Sequence, residues 1–159
     1  MLSIRAATVN DVTLVKKLIC ELAEYENELH QVQITDADLA RDGFGLQPKF
    51  RVLLAYWDDA PAGYALFFDF YSTWRGRHMF LEDLFVREAF RRRRVGKGLL
   101  AAVARIAESE GCHGMRWEVL DWNQSAVEFY ESLGVEFLDG WRSILLEDEG
   151  LRRLAKVAL

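Results

Sequence analysis

Residues 81–100 constrain the fold more than any other segment of this chain. They contain an apolar, strand-like pattern over 81–86, a basic run over 91–94, and Val95-Gly96-Lys97-Gly98 at the start of a helical pattern. A strand that passes through a short loop into a helix is a building unit of α/β proteins. The N–H groups at a helix N-terminus attract anions, and nearby Arg and Lys charges strengthen that attraction.

The basic run 91–94 has two interpretations. It is either a solvated charge run or nucleic-acid patch, or it binds a phosphate group, for which pyrophosphate is the natural ligand. Four arginines alone favour neither interpretation. Their position between a strand and a glycine-bearing helix start favours phosphate binding. The net charge of −5, from 20 basic and 25 acidic residues, disfavours nonspecific nucleic-acid binding and would attract a cationic substrate. We therefore expect no nucleic-acid partner.

The remaining pattern predicts a mixed α/β protein with one domain over residues 1–159. Alternating or apolar runs bounded by turn residues predict strands over 2–6, 50–57, 62–71, 78–86, 114–120 and 141–146. Helical spacing and capping residues predict helices over 12–25, 35–42, 95–110, 123–133 and 149–157. Thr8 and Asp11 form a predicted capping box before the first helix.

Composition excludes several other classes of protein. With 51% hydrophobic and 28% charged residues, the chain can bury a core and is not expected to be disordered. No apolar run approaches the roughly 18 residues that span a bilayer, and we see no secretory signal, so we expect a cytoplasmic protein without a membrane partner. Cys20 and Cys112 are too few and too isolated for a metal cluster or disulfide framework, so no metal is expected.

A second informative segment covers residues 121–134. Asn123 is placed to cap a helix, and Ala126, Phe129, Tyr130 and Leu133 share one face of it. Taken alone, an aromatic stripe at this spacing predicts core packing.

Together, the two segments resemble the GNAT acetyltransferases. The first resembles their acetyl-CoA signature, a strand followed by [Arg/Gln]-x-x-Gly-x-[Gly/Ala], and the second their Asn-x-x-Ala-x-x-Phe-Tyr-x-x-x-Gly helix. The resemblance is closer to the spermidine/spermine and thialysine N-acetyltransferases and extends over nearly the whole chain. It is carried by Ile4-Arg5-Ala6-Ala7-Thr8, Glu21-Leu22-Ala23-Glu24-Tyr25-Glu26, Asp42-Gly43-Phe44-Gly45, Phe80-Leu81-Glu82-Asp83-Leu84-Phe85-Val86 and Gly140-Trp141-Arg142.

The resemblance implies a GNAT fold: a mostly antiparallel central sheet of about 6–7 strands, splayed at its middle and flanked by about 4–5 helices. It implies acetyl-CoA as cosubstrate, with the pantetheine arm bound along the exposed strand backbone of residues 84–86. The implied acetyl-CoA contacts are Leu84, Phe85, Val86, Arg91, Arg92, Arg93, Arg94, Val95, Gly96, Lys97, Asn123, Phe129 and Tyr130. For Asn123, helix capping and a CoA contact are equally good interpretations.

The chain departs from the family signature at one position. In an ungapped alignment the signature begins at Arg91, and Arg94 occupies its first glycine position. The pattern also matches two residues later, from Arg93 to Gly98, but the ungapped register places Val95 and Gly96 where the family helix begins. The Arg94 side chain either limits the approach of phosphate to the backbone or adds a phosphate contact.

The resemblance also suggests catalytic roles. Glu82 and Tyr130 match the base and the acid of the polyamine-acetylating branch, the base acting through water if it is not adjacent to the amine. A surface carboxylate and a core aromatic are the alternatives. Strand alternation places Glu82 and Asp83 on opposite faces, so both cannot enter one pocket in the same way. Asp83 is expected to act as a second carboxylate, supporting the site or facing the substrate.

A small amine is the expected acceptor: a polyamine, a diamine or a thialysine-like amino acid. Candidates for the acceptor side are Tyr25, Glu26, Glu28, Trp74, Glu82 and Asp83, although an ordinary loop and helix end explain the first four equally well. Acetylation of a protein N-terminus or lysine, and a noncatalytic acyl-CoA-binding module, remain alternatives. By analogy with the branch, we expect a homodimer.

Overall fold

The computed structural model describes residues 1–157 and contains a five-stranded mixed sheet. The strands follow the chain in the order β1-β2-β3-β4-β5, with β1–β4 antiparallel and β5 parallel to β4. Their bounds are β1 Leu2–Ala6, β2 Arg51–Trp57, β3 Ala60–Ser72, β4 Gly76–Val86 and β5 Met115–Arg116. The mixed α/β class and the mostly antiparallel sheet are confirmed.

Five α-helices occur within the described part of the chain, which agrees with the predicted 4–5. They are α1 Val12–Tyr25, α2 Asp36–Phe44, α3 Val95–Ser109, α4 Gln124–Glu131 and α5 Asp148–Leu154. Short 3-10 turns cover Val9–Asp11, Leu29–Gln31 and Glu88–Phe90. No helix within residues 1–157 is long and apolar enough to cross a bilayer.

Capping boxes are found at the 3-10 turn that leads into α1 and at the start of α2. The Thr8 N–H donates to the Asp11 carboxylate at 2.8 Å, as the predicted capping box requires. Thr35 and Asp38 repeat the arrangement before α2. The apolar face of α1 then packs into a core with the inward faces of β2 and β3. The buried members of this core are Val12, Val15, Leu18, Leu39, Val52, Leu54, Tyr64, Leu66 and Phe85.

The prediction of 6–7 strands was wrong, because residues 141–146 form no strand in the structure. Their apolar side chains are exposed, Ile144 to 93% and Trp141 to 68%. Alternation predicts an extended backbone, but a strand needs a ladder of hydrogen bonds to a neighbour, which alternation cannot supply. For the same reason the predicted strand 114–120 is reduced to the two residues of β5, which pair with Met79 and Phe80.

The chain divides into two compact units, Met1–Glu118 and Val119–Leu159. The first contains the sheet and α1–α3, and the second contains α4 and α5. The predicted terminal helix over 149–157 is observed one residue earlier and shorter, as α5. One functional domain over residues 1–159 stays a prediction.

Candidate active site

A β-bulge in β4 determines the direction of the candidate catalytic side chains. Opposite β3, Asp83 pairs with Leu66 and Leu81 pairs with Phe67, so Glu82 is the extra residue between two ladder positions. A bulge re-aims side chains and increases the local twist of its strand. The simple alternation that separates Glu82 from Asp83 is therefore interrupted at this point.

Glu82 and Asp83 both line one cavity of about 350 Å³. Strand alternation predicted that the two side chains project to opposite faces and cannot enter one pocket in the same way, and the bulge is the physical reason that both reach this cavity. α2 contributes Asp38 and Asp42 to the same cavity. The rest of the lining is largely apolar or amide: Ile19, Gln31, Val32, Gln33, Ile34, Leu39, Phe50 and Leu66. Such a cavity suits an aliphatic chain that carries positive charge.

The two adjacent carboxylates have different surroundings. The pKa of the Asp83 carboxyl is raised to about 6, chiefly by burial and also by the charges of Glu82 and Glu26, while a hydrogen bond from the Tyr64 hydroxyl at 2.8 Å acts in the opposite direction. Glu82 is more exposed, yet partial burial and the charge of Glu118 also raise its pKa above the usual range for glutamate. A carboxylate with a raised pKa is a better proton acceptor near neutral pH.

The other residues predicted on the acceptor side are Tyr25, Glu26, Glu28 and Trp74. Within residues 1–157, none of these four belongs to the lining of this cavity. Glu26 follows α1 and is half-buried, and burial together with the charge of Glu28 raises its pKa. Glu28 lies 3.6 Å from the His30 ring nitrogen. Trp74 lies in the turn between β3 and β4 and is 85% exposed. Their role in acceptor binding stays a prediction.

The N-terminus of α3 has the geometry of an anion site. Arg94 is its N-cap, with φ 62° and ψ 14°, and its side chain makes no capping hydrogen bond. The first helical hydrogen bond runs from the Gly98 N–H to the Arg94 carbonyl at 2.9 Å. The N–H groups of Val95, Gly96 and Lys97 precede that bond and therefore have no intrahelical acceptor. Three N–H groups and the surrounding arginines suit a pyrophosphate.

Aromatic contacts hold two arginines of the loop. The Arg91 guanidinium lies 4.6 Å from the centroid of the Tyr25 ring, and its Nε donates to the Val86 carbonyl at 3.2 Å. Arg93 lies 5.2 Å from the centroid of the Trp57 ring. Tyr25, predicted on the acceptor side, thus contacts a residue of the predicted cofactor loop.

The end of β4 provides a strand edge beside this loop. The ladder between β4 and β5 ends at the pair Phe80 and Arg116, so the backbone of residues 84–86 extends beyond it. On the other edge Gly63 pairs with Val86, and a Cβ on Gly63 would lie 2.2 Å from the Phe85 carbonyl oxygen. A glycine is therefore required for β3 to approach β4 this closely.

The second unit carries the predicted residues of α4. Asn123 caps that helix by accepting a hydrogen bond from the Ala126 N–H at 3.3 Å. The Phe129 and Tyr130 rings lie 5.2 Å apart between centroids, and Tyr130 is buried. The capping interpretation of Asn123 is thus observed, while CoA contacts of Asn123, Phe129 and Tyr130 stay predictions.

Sequence reasoning missed Tyr64, Asp38 and Asp42 as residues of the site. Tyr64 occupies an inward position of an apolar strand, which predicts a core aromatic and gives no sign of its polar contact. Asp38 was visible as the acidic member of a capping box, and Asp42 as part of a segment shared with the polyamine-acetylating branch.

Comparisons with known proteins show the family and the fold of this chain. The sequence model of the Acetyltransferase (GNAT) family matches residues 16–135. The chain is similar to thialysine N-epsilon-acetyltransferase of Sus scrofa, at 40% identity over 96% of each chain. It is also similar to spermidine/spermine N(1)-acetyltransferase-like protein 1 of Homo sapiens, at 34% identity over 96% of this chain and 23% of that protein. An integron cassette protein from the mobile metagenome of V. cholerae shares the fold, with a TM-score of 0.81 and 24% identity over 98% of both chains.

Proposed function

This chain belongs to the GNAT acetyltransferase family, and on that premise we propose that it transfers the acetyl group of acetyl-CoA to a primary amine of a small molecule. The proposed acceptor is a polyamine, another diamine or a thialysine-like amino acid. The observation that carries the proposal is that β4 holds both halves of the site. Its side chains Glu82 and Asp83 line an acidic cavity, and its backbone over 84–86 continues past the β5 ladder toward the N-terminus of α3.

Acetyl-CoA fits the residues at the end of β4. The N–H groups of Val95, Gly96 and Lys97 would hold the pyrophosphate, and Arg91 to Arg94 would add positive charge. The strand edge over 84–86 would pair with the amides of the pantetheine arm, as an added strand pairs with a sheet edge. The thioester supplies an activated carbonyl for attack by the amine.

Glu82 is proposed to begin the reaction by removing a proton from the acceptor. An alkyl ammonium has a pKa of about 10, so most of the acceptor is protonated near neutral pH and cannot attack. With Glu82 as base, directly or through water, the amine nitrogen bonds to the thioester carbonyl carbon, and the carbon–sulfur bond then breaks. We propose that Tyr130 donates the proton that the departing thiolate takes up.

The shape and charge of the cavity support a small cationic acceptor. Four carboxylates, Asp38, Asp42, Glu82 and Asp83, surround a space with mainly apolar walls. A diamine would place its methylene groups against those walls and its charges near the carboxylates.

The resemblance to the spermidine/spermine and thialysine N-acetyltransferases also implies a homodimer. Sedimentation velocity on the purified protein would test this oligomeric state.

An acetyl-CoA consumption assay over a panel of amines tests the proposal. The panel contains linear diamines, polyamines, thialysine, lysine and peptides with free N-termini. We expect the highest kcat/KM with a small acceptor that carries two amines. A preference for peptides would contradict the small-molecule acceptor, and no turnover with any amine would favour a noncatalytic acyl-CoA-binding module.

A thermal shift assay tests the cosubstrate independently of the acceptor. Acetyl-CoA at about 100 times its Kd should stabilise the folded protein by roughly 2.7 kcal/mol and raise its Tm. ATP and NAD serve as controls and should leave the Tm unchanged. An unchanged Tm at millimolar acetyl-CoA would contradict the proposal.

A further inference from the structure

Tyr64 places a hydroxyl group deep in an otherwise apolar core. The residue is fully buried, and its ring packs among core side chains and meets the Phe85 ring edge-on, with 6.4 Å between centroids. A phenylalanine would fill the same space. A buried hydroxyl must find a hydrogen-bond partner to offset its lost hydration, so its presence here calls for a reason beyond packing.

The partner of that hydroxyl is a carboxylate of the cavity. Tyr64 Oη donates to Asp83 Oδ2 at 2.8 Å, and Asp83 lines the cavity directly after the bulge residue Glu82. Burial raises the pKa of the Tyr64 hydroxyl well above its usual value, so Tyr64 remains the donor at physiological pH. The bond connects a buried core side chain to a carboxylate that lines the cavity.

The charged groups around Asp83 would otherwise oppose its ionisation. Glu82 precedes Asp83 on β4, and Glu26 directly follows α1. The negative charges of both residues raise the pKa of Asp83. From α2, Asp38 and Asp42 line the same cavity, although both pair with Arg41. Cys20 on α1 is another titratable group near Tyr64. Of these groups, Tyr64 is the one that donates a hydrogen bond to Asp83.

We propose that Tyr64 is a positioning residue for acceptor specificity: its hydroxyl holds the Asp83 carboxylate toward the cavity, where Asp83 binds the ammonium group that does not react. This inference rests on the proposed function, because it assumes a cationic acceptor in this cavity. Glu82 then serves the amine that is acetylated, and the Tyr64–Asp83 pair serves the second charge. An acceptor with a single amine lacks the group that Asp83 binds.

The variant Tyr64→Phe tests the proposal, with Tyr56→Phe as the matched control. Tyr56 is also a strand tyrosine with a hydrogen-bonded hydroxyl, which accepts from Arg5 Nη2 at 2.8 Å outside this cavity. The ionisation of Asp83 is followed by NMR of ¹³C-labelled aspartate carboxyls. Loss of one charge-assisted hydrogen bond should move the Asp83 titration midpoint upward by about one pH unit, and Tyr56→Phe should not move it.

Binding of the acceptor provides the second measurement. Calorimetry compares a linear diamine with the monoamine of equal length, from pH 6 to pH 8. With a midpoint moved from about 6 to about 7, Tyr64→Phe should bind the diamine at least about fivefold more weakly at pH 6. The loss should be smaller at pH 8, where Asp83 is ionised in both proteins and only its positioning differs. Monoamine binding should not change.

The outcomes separate this inference from the proposed function. An unmoved Asp83 midpoint, or equal weakening of diamine and monoamine, would overturn the role of Tyr64. If Tyr64→Phe does not fold, Asp83→Asn provides the test, and unchanged diamine selectivity in that variant would overturn the proposal. Diamine binding with the expected pH dependence but no acetylation would support the positioning role and contradict only the proposed reaction.

Discussion

Arg87 and Glu21 form a two-point ion pair that joins α1 to the end of β4. Arg87 Nε donates to Glu21 Oε2 at 2.7 Å, and Arg87 Nη2 donates to Glu21 Oε1 at 2.8 Å. Arg87 Nη1 also donates to the Pro61 carbonyl at 2.8 Å. Both side chains are about three-quarters buried. The pair therefore fixes the chain directly after the strand edge over 84–86.

Replacing Arg87 by Lys should lower the free energy of unfolding by about 1 kcal/mol, because a lysine cannot make the two-point contact. Urea unfolding measures the change. Glu24→Gln is the control, since Glu24 is an exposed residue of the same helix, and it should change stability by less than about 0.5 kcal/mol. An unchanged midpoint in Arg87→Lys would mean that the ion pair does not stabilise the fold.

Arg94→Gly should raise the free energy of unfolding by up to about 1 kcal/mol, because the left-handed conformation at φ 62° strains a residue with a Cβ. Arg92→Gly removes the same strain and should act alike, whereas Arg91→Gly, at φ −64°, should not stabilise. Acetyl-CoA binding to Arg94→Gly then decides the role of the side chain. Tighter binding shows obstruction of phosphate, and weaker binding shows a phosphate contact.

Glu82→Gln should lower turnover by about 10²–10⁴-fold, the usual contribution of a positioned general base. The loss should shrink as pH rises, because more of the acceptor is then present as free amine. Rate–pH profiles measure this, with Glu88→Gln, an exposed residue beyond β4, as the control. A profile of unchanged shape would remove the base role from Glu82 and transfer it to Asp83.

Asp83→Asn should stabilise the protein above about pH 6. Burial is the main reason that the pKa of Asp83 is raised from 3.8 to about 6. Between these two pH values, the folded state therefore keeps a proton that the unfolded state has lost. Stability associated with Asp83 is therefore full below about pH 4 and is lost as pH rises through 6. We expect a gain of about 2 kcal/mol at pH 7 and none at pH 4 by urea unfolding. An equal gain at both pH values would contradict the assignment.

Tyr130→Phe should reduce turnover while acetyl-CoA affinity and Tm stay close to their original values, because it removes one hydroxyl and keeps the ring. A thioester with a more acidic thiol should restore much of the lost rate, since its thiolate departs without a proton. Tyr130→Ala is the packing control and should lower the Tm. Unchanged turnover in Tyr130→Phe would exclude the acid role.

Local patterns in the sequence predicted several helix starts and the buried face of the first helix. The predicted capping box of Thr8 and Asp11 is observed at the 3-10 turn that leads into α1, since its hydrogen bonds lie within a single turn. The apolar spacing over Val12, Val15 and Leu18 predicted the face that α1 buries. The N-terminus of α3, where we propose that phosphate binds, was predictable as well, because an arginine run before a glycine-bearing helix start is a local pattern.

The assembly of the acidic cavity depends on contacts between segments that are distant in the sequence. Periodicity placed Glu82 and Asp83 on opposite faces, and the bulge that places both along one cavity depends on how β4 pairs with β3. Tyr64 looked like an ordinary core residue, and its hydroxyl reaches Asp83 because a neighbouring strand brings that carboxylate within 2.8 Å. The predicted sixth strand over 141–146 was wrong for the same reason. A sequence pattern specifies the conformation of a segment, whereas pairing, register and burial depend on which segment lies beside it.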